Sequence, residues 1–275
     1  MKIRYLADQV RYQTMDTDEF RQTFLVEDLF QKNKLVLYYT ETDRAIVGSA
    51  VPVKKELSLP GGKELASDFF AQRREVGVIN IGSAGSVKVD GKVYKLANRD
   101  ALYIGRGARK ITFVSQDEKK PAKYYILSYP AHKSLPNCKV AQKEAEAVHL
   151  GNQEMANKRT IYKYIRPPQV ESCQLVMGLT TLENGNVWNT MSPHTHERRT
   201  EIYMYFDLGK QILFHFMGKP EQTRHLVVRE GQAVISPSWS IHAGAGTCAY
   251  SFIWGMGGEN QEFDDMDGVN FERIN

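Results

Sequence analysis

Residues 191–206 read MSPHTHERRTEIYMYF, and the spacing of their polar and apolar side chains decides how the rest of the chain is read. His194 and His196 stand two apart. On an extended strand the side chains at i and i+2 leave the same face, so both imidazoles can converge. Glu201 follows His196 at odd parity, which on a straight strand would send it to the opposite face. A polar turn over Glu197–Thr200 removes the conflict, starting a neighbouring antiparallel strand on which Glu201, Tyr203 and Tyr205 all face inward. The fourth donor is His242, just beyond GQAVISPSWSIH, where Gly231 and Pro237 bracket a strand and its corner. Three imidazole nitrogens and one carboxylate oxygen suit Zn, Fe, Mn, Ni or Cu. Such a set leaves coordination positions open for substrate oxygens, as a catalytic metal requires.

Outward from this stretch, short β-type runs dominate: LVLYYTETDRAIVGSAVPV (35–53), DALYIGRGARKITFV (100–114), CQLVMGLTTL (173–182), QILFHFMG (211–218) and YSFIWGM (250–256). GSVKVDGKVYKL alternates across Asp90-Gly91, a hairpin signal. Runs separated by roughly 8–12 residues indicate a sandwich or barrel rather than βαβ units. The fold class expected is therefore all-β with a few short helices. DTDEFRQTFLVEDLF (16–30) carries acidic capping residues and helical apolar spacing, so one short helix is expected there. AQKEAEAVHL (141–150) reads as linker with at most a helical turn.

The two halves resemble each other. NRDALYIGRGARKITFV (98–114) matches REGQAVISPSWSIHAGA (229–245) in style, and QRREVGVINIG (72–82) matches RRTEIYMYFDLG (198–209), with Glu75 opposite Glu201. This order points to an internal duplication. The expected division is residues 1–135 as a first barrel, 136–157 as a linker, and 158–275 as a second barrel holding the metal.

Composition bounds the function. A net charge of +4 over 36 basic and 32 acidic residues gives no reason to expect nucleic acid. No apolar run is long enough for a transmembrane helix, and the start lacks the apolar core of a signal peptide. Cys138, Cys173 and Cys248 stand far apart without a CxxC, so free thiols in a reducing cytoplasm are expected. His132, His149 and His215 are expected to be ordinary histidines, while His225 beside Arg224 stays open. GRGARK (105–110) lacks the GK[ST] ending of a phosphate loop and is read as a barrel corner.

The spacing of His194, His196 and Glu201, followed by Gly231, Pro237 and His242, resembles the two motifs of the cupin family. Trp239 stands where that family usually has glycine, and the first motif lacks its leading glycine. The resemblance implies two cupin-type antiparallel β-barrels, a bicupin. Aligned on it, the first half offers Asp68, Phe70, Glu75 and Lys110 at the ligand places. Phenylalanine and a lysine cation cannot hold a divalent metal, so one site per chain is expected.

Longer blocks narrow the resemblance. PHTHERRTEIYMYFD, TRHLVV, AVISPSWSIH, FIWGMGGENQEFDDMD, TDRAIVGSAVPV, QRREVGVINIG and NKRTIYKY are similar to stretches of the 5-keto-4-deoxyuronate isomerase family, over nearly the whole chain. That resemblance implies a cytoplasmic, homohexameric enzyme of pectin and uronate breakdown. It would carry one zinc per chain on His194, His196, Glu201 and His242. Its reaction would interconvert 5-dehydro-4-deoxy-D-glucuronate and 3-deoxy-D-glycero-2,5-hexodiulosonate.

Moving a hydrogen between C1 and C2 needs a base within reach, or a hydride shift. Glu201 is the first base candidate; Glu197, Asp264, Asp265, His225 and Tyr203 are others. The substrate carboxylate calls for a cation. Arg199 and Arg224 are the candidates taken, with Arg198, Arg159 and Lys158 behind them, and Trp239 and Trp254 as pocket walls. The rival readings are another uronate or sugar isomerase, an iron cupin dioxygenase, and a non-catalytic sugar- or metal-binding bicupin.

Overall fold

A chain whose apolar residues alternate along short strands can bury them only by laying one sheet against another. The computed structural model, which describes residues 1–275, does this twice. The first compact unit comprises residues 1–4, 28–145 and 164–176, the second residues 5–27, 146–163 and 177–275.

In the first unit a seven-stranded sheet runs in the order Lys2–Arg4, Leu35–Thr40, Ile46–Ala50, Tyr124–Pro130, Arg74–Asn80, Ala101–Ile104, Cys138–Val140. A four-stranded sheet runs Leu57–Ser58, Ile111–Ser115, Gly85–Val89, Lys92–Leu96. Alternate residues Val76, Val78, Leu102 and Ile104 of the larger sheet bury against Val87, Val89, Leu96 and Phe113 of the smaller. The expected hairpin is present, with Asp90 and Gly91 at φ 47° and 87°, a pair of left-handed residues that matches the twist of its strands.

The second unit repeats the plan. Its seven-stranded sheet runs Glu146–Leu150, Arg159–Ile165, Val176–Leu182, Ser251–Gly258, Arg199–Phe206, Ala233–Ser236, Leu25–Val26. Its four-stranded sheet runs Trp188–Asn189, Ile241–Gly246, Leu213–Lys219, Gln222–Val228. From the second strand of each large sheet onward the two orders correspond place for place, as the internal duplication requires. Arg74–Asn80, which begins beside Glu75, stands where Arg199–Phe206 stands with Glu201.

Two segments differ from the sequence expectation of a plain linker. Within 136–157, Cys138–Val140 pairs with Ala101–Tyr103, and Glu146–Leu150 pairs with Arg159–Lys163. Weak β-formers are accepted there because an edge strand needs one paired side only, and its ladder is satisfied by the neighbour. The units are also discontinuous in sequence. The expected helix forms at Thr17–Phe24, capped by the Asp16 carboxylate on Glu19 N at 2.8 Å. It buries Phe20 and Phe24 and delivers Leu25–Val26 as the edge strand beside Ala233–Ser236.

In the first unit the glutamate of the duplicated motif has become structural. Glu75 is fully buried and accepts backbone N–H groups from Cys173, Gln174 and Leu175 at 2.6, 2.7 and 2.8 Å, plus the Tyr103 hydroxyl at 2.7 Å. Phe70 is buried in the core, while Asp68 and Lys110 are exposed. Removing an acceptor from several buried N–H groups costs about 1–3 kcal/mol each, less than additively. Glu75→Ala is therefore expected to lower the calorimetric melting temperature of the full chain by roughly 6–12 °C, leaving bound metal unchanged. Lys110→Ala should likewise leave metal content as it was.

Candidate metal centre

His194 lies on a two-residue strand, His194–Thr195, that pairs with Asp267–Gly268 in a small sheet of its own. The turn that follows is closed by Arg199 N donating to His196 O at 3.0 Å, and the strand Arg199–Phe206 then begins. The turn was expected; the histidine strand was expected to pair with Arg199–Phe206 and instead pairs near the C-terminus. His196 N donates to Ser238 O at 3.1 Å, tying this turn to the Pro237 corner. That corner, closed by Ser240 N on Pro237 O at 3.0 Å, leads into Ile241–Gly246 and so to His242.

The four side chains meet. His194 Nε2 lies 3.2 Å from His196 Nε2 and 3.0 Å from His242 Nε2. Glu201 Oε2 lies 2.9 Å from His196 Nε2 and 3.1 Å from His242 Nε2. All four donors fall within 4.8 Å of one another, and the residues are 7%, 2%, 5% and 1% exposed in chain order. A metal with donor bonds of about 2.0–2.2 Å spaces neighbouring donors by about 3.0–3.5 Å, a spacing close to these separations. Among neutral imidazoles, lone pairs aimed at one point repel. The donor set therefore fits a divalent cation.

The ring orientations agree. His196 Nδ1 lies 2.7 Å from Asp265 O and His194 Nδ1 lies 3.3 Å from Ser192 O. Carbonyl partners hold the proton on Nδ1 and leave Nε2 free to ligate. Burial alone would raise the Glu201 carboxyl, but the imidazoles of His242 and His196 hold it well below the ordinary carboxylate range. Burial, with His242 beside it, pushes His194 down to about 3, so it stands neutral as a ligand must.

A clamp surrounds the ligands. Arg199, 1% exposed, donates through Nη2 to Asp265 O at 2.7 Å and through Nη1 to Glu262 O. Arg198 pairs with the carboxylates of Asp265 and Asp267. The hydrogen bonds from Arg198 hold the Asp265 carboxyl far below its usual range. Residues 262–267 are thus fixed across the metal motif, and Phe263 and Met266 join the cavity wall.

The cavity, about 240 Å³, opens beside His194, His196 and Glu201. Phe252, Trp254 and Met256 supply apolar wall, and Tyr203 and Arg159 are among its polar lining. Of the three residues taken for substrate contact, none lines it. Arg199 holds the 262–265 backbone instead. Arg224 lies 4.3 Å over the Phe20 ring and donates to Met15 O, and Trp239 packs edge-on against Tyr12. Both were read against the metal motif alone, but the N-terminal segment 5–27 returns to this unit and takes them up. Among the other candidates, Glu197, Asp264, His225 and Lys158 are exposed and Asp265 is held by Arg198. Tyr203 and Trp254 do reach the cavity. His215, expected to be ordinary, is buried with Nδ1 2.7 Å from Tyr205 Oη. Phe263 and Met266 escaped the sequence reading, since nothing in 259–268 signals that it folds back.

Comparison with known proteins gives a consistent result. Residues 24–274 match the model of the KduI/IolB family. The chain is 53% identical over 275 residues to the 4-deoxy-L-threo-5-hexosulose-uronate ketol-isomerase of Lachnoclostridium phytofermentans, spanning all of both chains. It is 48% identical to the protein of the same name from Caldicellulosiruptor bescii, again over the whole of both. Among solved structures it resembles an IolB-like protein from Salmonella typhimurium LT2, with a TM-score of 0.70, 12% identity, and coverage of 90% of this chain and 96% of that one. At that identity the likeness speaks to the fold alone, which is all-β and cupin-like. His194→Ala and His242→Ala are each expected to weaken divalent-metal binding by more than about 100-fold with an unchanged far-ultraviolet dichroism spectrum; elemental analysis after dialysis checks this.

Proposed function

The chain belongs to the KduI/IolB family, and from that premise we propose a zinc-dependent aldose–ketose isomerase that interconverts 5-dehydro-4-deoxy-D-glucuronate and 3-deoxy-D-glycero-2,5-hexodiulosonate. The chain is an enzyme of the isomerase class, and its named relatives are uronate ketol-isomerases. The observation that carries the finer reading is the convergence of His194, His196, Glu201 and His242 at the edge of a cavity of substrate size.

His194, His196, Glu201 and His242 would hold the zinc. When bound, the ion polarises a carbonyl and acidifies a neighbouring hydroxyl. The chain's own groups supply the rest. Glu201 turns Oε2 toward His196 and His242 and is hydrogen-bonded by Tyr203, so the two side chains together are placed to relay a proton between C1 and C2. Burial and the nearby Glu201 carboxylate push the Tyr203 phenol well above its ordinary range, so it stays protonated and serves as a donor. Tyr203 hydrogen-bonds Glu201 and Thr190, which fixes its hydroxyl at the cavity edge. Phe252, Trp254 and Met256 exclude water from the reacting carbons, which strengthens these contacts.

The enzyme is read as cytoplasmic from its three unbridged cysteines, Cys138, Cys173 and Cys248, and as a homohexamer from the family resemblance. No helix is long and apolar enough to cross a membrane. The decisive assay is turnover of the ketouronate by zinc-loaded protein without oxygen: full activity with no oxidised product is expected, and a requirement for oxygen would sink the isomerase reading. In the same assay Tyr203→Phe should lower kcat by about 100-fold while zinc stays bound.

A further inference from the structure

The core of the first unit ends in a cavity of about 210 Å³ whose wall carries three arginines, Arg44, Arg73 and Arg74. Arg74 begins the strand Arg74–Asn80 and shares the parity of Val76 and Val78, so its side chain leaves by the core face. It is only 6% exposed. Its Nε donates to Ser128 Oγ at 3.1 Å, and its Nη2 donates to Ser128 O at 2.8 Å and to Arg44 O. These bonds fix the guanidinium and leave Nη1 unused. Arg73 is pinned through Nη1 on Ala66 O at 2.8 Å, with Nε and Nη2 unused. Arg44 joins them from the turn between Leu35–Thr40 and Ile46–Ala50. Ser67 lines the same wall, and its buried Oγ has no partner.

None of the three arginines pairs with a carboxylate. Glu75 follows Arg74 but leaves by the opposite face, where the N–H groups of 173–175 and the Tyr103 hydroxyl take it up. Glu64 is the carboxylate in the cavity wall, and it faces the Met1 amine at 3.5 Å. Burial pushes the Arg74 guanidinium down to about 10, which still leaves it charged at neutral pH. A cation so placed is unfavourable until something brings the counter-charge.

The size and charge of the cavity narrow what that is. At about 210 Å³ it is smaller than the roughly 300–1,000 Å³ of sites for drug-sized ligands, so it takes a head group with little attached. A carboxylate offers two oxygens and one charge to three guanidinium groups. A phosphate offers three free oxygens and about −1.5 to −2 charges at pH 7, and it accepts the planar fork of arginine in a bidentate manner.

We propose that this cavity of the first unit is a binding site for a phosphate dianion, free or at the end of a small phosphorylated molecule, held by Arg44, Arg73 and Arg74. The site lies outside the four donors of the second unit and does not rest on the isomerase reading.

The test is titration calorimetry on metal-loaded full-length protein with inorganic phosphate, glycerol 3-phosphate and acetate. Each titration is repeated on His194→Ala, so that phosphate held at the metal donors is told apart from phosphate held by the arginines. One saturable phosphate site per chain is expected to survive in His194→Ala, with acetate at least about tenfold weaker. Arg74 also ties Ser128 and the 44 carbonyl, so the exposed arginines carry the test. Arg44→Gln and Arg73→Gln should each weaken phosphate about tenfold, the loss of one charge-assisted hydrogen bond, with metal content and the far-ultraviolet spectrum unchanged. Tighter binding of glycerol 3-phosphate than of inorganic phosphate assigns a phosphorylated molecule; equal or weaker binding assigns free phosphate, and both uphold the site. No saturable phosphate binding in His194→Ala, acetate binding as tightly as phosphate, or an affinity unchanged in both glutamine variants overturns the proposal.

Discussion

Three imidazole nitrogens and a carboxylate oxygen, their four closest pairs 2.9–3.2 Å apart, form a buried cluster inside the second unit that could hold a cation. The groups nearby keep that arrangement in place. The Asp265 carbonyl takes the Nδ1 proton of His196, Arg199 holds the same carbonyl, and Arg198 holds the Asp265 carboxylate. A ring offered as a ligand points correctly only if its rear nitrogen is fixed, and the clamp of residues 262–267 fixes that of His196.

The duplicated fold shows how one plan can carry two outcomes. At matching places in the two large sheets stand Glu75 and Glu201, both buried. Glu201 meets the imidazoles of His196 and His242. Glu75 meets three backbone N–H groups and a tyrosine hydroxyl and is directed at the chain itself. In both cases a buried carboxylate is retained because something positive or protic surrounds it. What differs is whether its neighbours are histidines or the peptide groups of 173–175.

The cavity combines these features into a site with direction. The four candidate donors lie at its edge, apolar rings form its wall, and Arg159 lines it from a distant strand of the same sheet.

The sequence alone determined the β class, the hairpin at Asp90-Gly91, the helix capped by Asp16, the matching order of strands in the two halves, and which three histidines and glutamate meet. Each of these is written in local periodicity or in a short spacing, and neighbouring residues suffice to read it. Only the tertiary structure decided which basic residues face the cavity. Arg224 and Trp239 sit in sequence close to the metal motif, yet they pack on Tyr12, Met15 and Phe20. Arg159 lies 35 residues before His194 and nevertheless shares the cavity with it. The fold-back of 262–267 and the return of 5–27 were equally invisible, because they depend on which edges and surfaces remain uncovered once the sheets have formed. Periodicity tells a side chain which face of its strand to leave by; what waits on that face is settled by strands far away in the chain.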